Sequence, residues 1–141
     1  MEKSRIIGLA IIVLFIGAIV YFFWSSETAK TEIPSYVTGE KRAMYEWAKT
    51  PEGIALLDQV PCYCGCKYEG HHNAEDCFWR DNGNFDKHGI SCSTCLDIAK
   101  KTKAMNEEGK NICEIVKAID EFYKPNANLR TDTPLPEGCT E

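Results

Sequence analysis

Between Pro61 and Cys95 lie six of the chain's eight cysteines and all three of its histidines. A small domain accommodates such a density of soft ligands through cross-links or through metal. The run opens with Pro61-Cys62-Tyr63-Cys64-Gly65-Cys66, three thiols at every second residue. It continues through Gly70-His71-His72, Cys77-Phe78 and His88 to Cys92-x-x-Cys95. Alternate residues of an extended segment lie roughly 6.5 Å apart, so Cys62, Cys64 and Cys66 are poorly placed to bridge one another and need partners elsewhere. A curl at Gly65, which is free to adopt positive φ, lets the three sulfurs converge on one centre at metal-thiolate distances of about 2.3 Å, with His71 or His72 as a fourth ligand. The competing reading sends each thiol into a separate bridge to Cys77, Cys92 or Cys95 and makes the stretch a disulfide-knotted loop.

The 141 residues suffice for one small domain and an attachment. Ile6 to Trp24 contains no charged residue and, at about 1.5 Å per residue, is long enough to cross the hydrocarbon of a bilayer. Residues 1–24 are therefore expected to form a single-pass transmembrane anchor. Lys3 and Arg5 precede the run, whereas Ser25-Ser26-Glu27-Thr28 behind it is uncharged or acidic. This asymmetry places the N-terminus in the cytoplasm and the cysteines on the extracytoplasmic side of the cell membrane. The run is followed by neither a small-x-small cleavage site nor a cysteine for lipid attachment, which favours an uncleaved anchor over a signal peptide. Residues 25–35 read as a polar stalk, 36–125 as the cysteine-rich domain, and 126–141 as an irregular, exposed tail containing Pro134 and Pro136.

Within the domain the pattern is mainly α. Gly39 to Lys49 sets Ala43, Met44, Trp47 and Ala48 at helical spacing, and Thr50-Pro51-Glu52 then offers an N-cap, a first-turn proline and an acidic side chain for a second helix reaching about Gln59. A third helix is expected from Cys92 to about Met105, with Cys92, Cys95, Leu96 and Ala99 on one side and Ser91 or Ser93 as its cap. Glu107-Glu108-Gly109 breaks it. Asn111-x-x-Glu114 has the form of a capping box, and Ile112, Ile115, Val116, Ile119, Phe122 and Tyr123 make the clearest amphipathic stripe in the chain. No alternation is sustained enough to build a sheet. A small mainly helical domain with a long ligand-bearing loop follows.

The net charge of −5 argues against nucleic acid as a partner and suits solubility or cationic ligands. Cys113 and Cys139 stand outside the central stretch, so a disulfide between them is expected to pin the tail to the last helix. Cys92-x-x-Cys95 has the spacing of dithiol oxidoreductases, but such enzymes set it in a βαβ framework that this pattern lacks. With His88 ahead of it, the cluster reads at least as well as half of a metal site. The candidate ligands are thus Cys62, Cys64, Cys66, His71, Cys77, His88, Cys92 and Cys95. Their softness suits Cu(I), favoured by an exterior location and spare thiolates, or Zn(II) in a closed tetrahedral site.

The order Pro61-Cys62-Tyr63-Cys64-Gly65-Cys66, Gly70-His71, Cys77-Phe78, His88-Gly89, Cys92-x-x-Cys95-Leu96-Asp97 and Ile119-Asp120 resembles the PCYCGC-motif family of bacterial and archaeal exported proteins, many of them lipoproteins. The likeness runs from about Tyr45 to Tyr123. It implies export but little about function, and it says nothing of Cys113 and Cys139. The expectation is a membrane-anchored extracytoplasmic protein binding Cu(I) as a chaperone, buffer or sensor, exchanging metal with a donor or acceptor protein. The alternatives are a disulfide- or zinc-stapled interaction module and, third, a thiol-disulfide oxidoreductase. No catalytic constellation is evident.

Overall fold

A computed structural model of the chain describes residues 32–80 and 83–140. The chain divides into Met1–Glu32 and Ile33–Glu141, and the fold below belongs to the second unit. Its regular elements are α1 (Gly39–Ala48), α2 (Pro51–Leu57), β1 (Trp79–Arg80), β2 (Asn84–Phe85), α3 (His88–Ser91), α4 (Ser93–Glu107) and α5 (Ile112–Phe122). Short 3-10 turns occupy Cys66–Glu69, Glu75–Cys77 and Lys124–Leu129.

Local side-chain chemistry caps two of the five helices among the described residues. Thr50 caps α2, its hydroxyl accepting the Gly53 amide at 3.0 Å and donating to the Trp47 carbonyl at 2.7 Å. The α1–α2 corner is so tight that a Cβ on Gly53 would stand 2.2 Å from the Trp47 carbonyl oxygen. Asn111 and Glu114 form both halves of the capping box that opens α5, at 3.1 and 2.9 Å. One expected cap differs: α4 starts at Ser93 with Cys92 as its N-cap and no side-chain bond, so neither Ser91 nor Ser93 closes the helix.

The core has two regions. In one, Tyr45 of α1 is fully buried against Phe78, Trp79 and Phe85, with ring centroids 4.9, 6.0 and 5.0 Å away. Its hydroxyl donates to the Asp86 carbonyl at 2.6 Å, and the Trp79 indole N–H donates to the Tyr45 carbonyl at 3.1 Å. Tyr45 was absent from the sequence-based face, whereas Ala43, which was on it, is exposed. The antiparallel β1–β2 ladder, pairing Trp79 with Phe85, thus docks on α1 through aromatic side chains. In the other region Cys95, Ile98, Ala99 and Thr102 of α4 and Ile115, Val116 and Ile119 of α5 are buried. Each large apolar side chain so placed contributes about 1.5–3 kcal/mol. Phe122, expected on that stripe, is exposed, and Tyr123 turns inward to stack on Tyr63 at 5.4 Å.

Among the described residues beyond Leu129 there is no regular element, yet this segment is partly inside the fold rather than exposed throughout. Thr131 and Thr133 are buried, and Cys113 is disulfide-bonded to Cys139. Arg130 donates to Asp120 and to the Tyr63 hydroxyl through Nε, and to the Thr131 and Thr133 carbonyls through Nη1. These bonds fold the tail across the start of the cysteine loop.

The membrane expectation is corrected here. Among the described residues no helix is long and apolar enough to cross a membrane. The longest, α4, has 15 residues, about 22 Å at 1.5 Å per residue against a hydrocarbon layer of about 30 Å, and its outer face carries lysines. Ile6 to Trp24, where the anchor was expected, lies outside the described residues. The single-pass architecture, the membrane as partner and the extracytoplasmic placement derived from them are withdrawn. What the structure supports is a small, mainly helical, cysteine-rich domain.

Candidate metal centre

The loop that carries the motif follows α2 and is tied at Val60, whose carbonyl accepts the Ala74 amide at 2.8 Å. Cys62 is clamped by the tail on both sides of its backbone: its N–H donates to the Thr131 hydroxyl at 2.9 Å, and its carbonyl accepts the Thr131 N–H at 2.8 Å. Tyr63, between two of the thiols, is held by its stack on Tyr123 and by a short hydrogen bond from its hydroxyl to Asp120. Gly65 then takes φ of +86°, the left-handed conformation that lets the chain curl and turns Cys66 back toward the preceding sulfurs. Phe78 and Tyr45 press against Gly89 with no room for a Cβ, which fixes α3 and its first residue, His88, over the loop.

All six cysteines of the stretch are free thiols. The separate bridges considered from sequence are therefore not formed. Instead the sulfurs gather into one contact network. Cys62 Sγ lies 3.5 Å from Cys64, 3.5 Å from Cys95 and 3.8 Å from Cys77. Cys64 and Cys95 are 3.4 Å apart, and Cys66 and Cys77 3.8 Å. A tetrahedral thiolate site with 2.3 Å bonds has sulfur edges of about 3.8 Å, so these separations match sulfurs around a common ion. Cys62, Cys66, Cys77 and Cys95 are almost wholly buried, while Cys64 and Cys92 are half-buried.

Two histidines join the network and one does not. His71 is 2 % exposed, with Nδ1 3.4 Å from Cys77 Sγ. Its Nε2 is buried without a hydrogen-bond partner and faces Asp86 Oδ2 at 3.8 Å. His88 shows the mirrored arrangement, Nε2 lying 3.5 Å from Cys64 Sγ and Nδ1 3.4 Å from Glu69 Oε2. An imidazole that presents one nitrogen to a soft donor cluster and the other to a carboxylate has the orientation of a metal-ligating histidine. His72, considered as an alternative ligand, is exposed and is excluded. Neither carboxylate was found by spacing, because Glu69 and Asp86 reach the imidazoles only through the folded loops. Asp86 is itself fixed, by Arg80 at 2.8 Å and by the His88 amide at 2.7 Å.

Packed thiols share protons unequally. Hydrogen bonds from neighbouring thiols hold Cys64, mainly through Cys62, well below the ordinary thiol range. Cys62 is raised by Cys64 but lowered more by Cys66, Cys77 and Cys95, and ends at about 4. Contact with those ionised sulfurs, with burial adding, pushes Cys66, Cys77 and Cys95 far up. Burial, and then the Arg80 charge, lowers His71, which keeps the imidazole neutral, the form that can ligate. Several His/Cys groups have donor atoms within 4.8 Å of one another, among them Cys64, His88, Cys92 and Cys95 together and Cys66, His71 and Cys77 together. The chain thus presents clusters compatible with a soft metal ion. Cys92-x-x-Cys95 lies at the start of a helix, and among the described residues the sheet is a ladder of two-residue strands rather than the βαβ unit in which dithiol enzymes set this spacing.

A helical domain built around clustered free thiols and two carboxylate-facing imidazoles is the class that fold and site define. Residues 25–136 match a family described as protein of unknown function with PCYCGC motif, and the chain belongs to that family. No curated protein and no solved structure matches the chain.

Proposed function

We propose that this domain binds thiophilic closed-shell metal ions, Cu(I) foremost, through Cys62, Cys64, Cys66, Cys77, Cys92 and Cys95 with His71 and His88. The observation that carries the reading is Cys62, whose sulfur touches three other thiol sulfurs within 3.8 Å. A sulfur so surrounded is suited to bridge ions, and Cu(I) takes two or three thiolates and shares them readily. Location no longer favours copper once the anchor is withdrawn; the donor set favours it unaided. Zn(II) is the second reading, favoured by the two imidazoles with carboxylates behind them, the donor chemistry of closed tetrahedral sites. In either case the fold supplies a buried donor set held by the tail and by α4, and the ion takes the place of protons shared among the thiols.

The test is titration of the reduced full-length protein under argon with Cu(I) and, separately, Zn(II), each against a chelator of known affinity. Tighter retention of Cu(I), with ultraviolet thiolate-to-metal absorption that disappears in a Cys62→Ser, Cys64→Ser variant, is the expected result. Protein purified anaerobically with Cys62, Cys64 and Cys66 all in disulfides would overturn the metal reading. Zinc that copper does not displace would establish the second reading.

A further inference from the structure

We infer that the eight donors form two adjoining centres of unequal access, each of three thiols and one imidazole; the inference rests on the metal reading above. The outer centre is Cys64, His88, Cys92 and Cys95, whose four donor atoms all lie within 4.8 Å of one another. Three of them reach the surface: Cys64 and Cys92 are half-buried and the His88 side chain is 18 % exposed. The inner centre is Cys66, His71 and Cys77, mutually within 4.8 Å, completed by Cys62 at 3.8 Å from Cys77 and within the same 4.8 Å of Cys66. None of these four residues is more than 2 % exposed.

Three observations separate two centres from one. A single tetrahedral ion needs four donors, and the network offers twice that number. Each set holds one imidazole, and each imidazole turns its remote nitrogen to a different carboxylate, Glu69 behind His88 and Asp86 behind His71. The buried Nε2 of His71 has no hydrogen-bond partner, so the ring's one hydrogen-bonding contact is Nδ1 with Cys77 Sγ at 3.4 Å, and an ion seated beside Cys77 accounts for its burial there.

Cys62 joins the centres. Its sulfur is 3.5 Å from both Cys64 and Cys95 of the outer set and 3.8 Å from Cys77 of the inner one. An ion held outside can therefore pass inward by ligand exchange, one metal–sulfur bond to Cys62 forming as one to Cys64 or Cys95 breaks, with no change of oxidation state. The arrangement is that of an entry site in front of a retention site.

Co(II) reports this partition, because tetrahedral thiolate coordination gives it visible absorption. The reduced full-length protein should bind two Co(II) ions and release them to EDTA in a fast and a slow phase. A His88→Ala, Cys92→Ser variant should bind one and keep only the slow phase. A Cys66→Ser, His71→Ala variant should bind one and keep only the fast phase, with circular dichroism verifying that it folds. Glu69→Gln, at a solvent-facing carboxylate, should weaken the outer ion alone by about tenfold. Binding of one Co(II), release in one phase, or loss of both ions together in the His88→Ala, Cys92→Ser variant would overturn the inference. Failure to bind Co(II) while Cu(I) still binds would overturn the two tetrahedral centres and leave the metal reading standing. Failure to bind either ion would overturn both.

Discussion

Thr131→Val is the perturbation that most directly tests how the tail holds the site. The Thr131 hydroxyl accepts the Cys62 amide at 2.9 Å and pairs with the Thr133 hydroxyl at 2.8 Å. Since Thr133 donates its own proton to the His72 carbonyl at 2.6 Å, Thr131 is the donor in the hydroxyl pair. Both threonines are buried, at 1 % and 4 % exposure. Valine keeps the shape and removes the oxygen, so the Cys62 N–H is left inside without an acceptor, at a cost of about 1–3 kcal/mol. Loss of the hydroxyl pair adds about 0.5–1.5 kcal/mol, and the extra buried methyl returns about 0.8 kcal/mol. The expected net loss is about 2 kcal/mol. Urea unfolding of the chelator-treated, disulfide-intact protein measures it as a lower midpoint at unchanged slope, with metal removed so that binding does not mask the change. Thr131→Ser retains the oxygen and should lose less, about 1 kcal/mol for the missing methyl. A valine variant within about 0.5 kcal/mol of wild type, or a serine variant as unstable as the valine one, would refute the reasoning.

Three further outcomes are expected. Gly89→Ala would set its Cβ 2.8 Å from a Phe78 ring carbon and 2.9 Å from the Tyr45 hydroxyl oxygen, so thermal unfolding should show a loss of about 1–3 kcal/mol, and the displaced His88 should weaken metal binding in the same variant. Cys113→Ser with Cys139→Ser opens a loop closed by a bond at sequence separation 26; denaturant unfolding should register a loss of about 3 kcal/mol, and limited proteolysis should cut first beyond Leu129. Metal affinity, followed by chelator competition across pH, should fall as pH drops. Cys66, Cys77 and Cys95 hold their protons far above the ordinary thiol range, so binding must expel them and acid opposes it; affinity independent of pH would show that these thiols are not ligands.

The helices were largely readable because their signals are local. Thr50, Pro51, Asn111 and Glu114 act within four residues of the elements they start, and the stripe Ile115, Val116, Ile119 needs only the helical repeat to be seen. Candidate donors were readable for a different reason: cysteine and histidine at this density leave few alternatives in chemistry, whatever the fold. One miss was local: Cys92, between the two serines, is the cap of α4. The other was decided by groups distant in sequence: Tyr45 displaced Ala43 in the core because aromatic partners from the β1–β2 ladder close over one side of α1.

Composition and spacing alone therefore determined that the domain is mainly helical and which cysteines and histidines are candidates for a soft-donor site. Tertiary structure alone decided how those donors group. Cys62 meets Cys95 across 33 positions and Thr131 across 69, and His71 enters the cluster while its neighbour His72 faces solvent. Side-chain type sets what an atom can ligate, but a separation of 3.5 Å between sulfurs depends on where the Gly65 curl, the start of α4 and the returning tail place each backbone, and no periodicity along the chain encodes that.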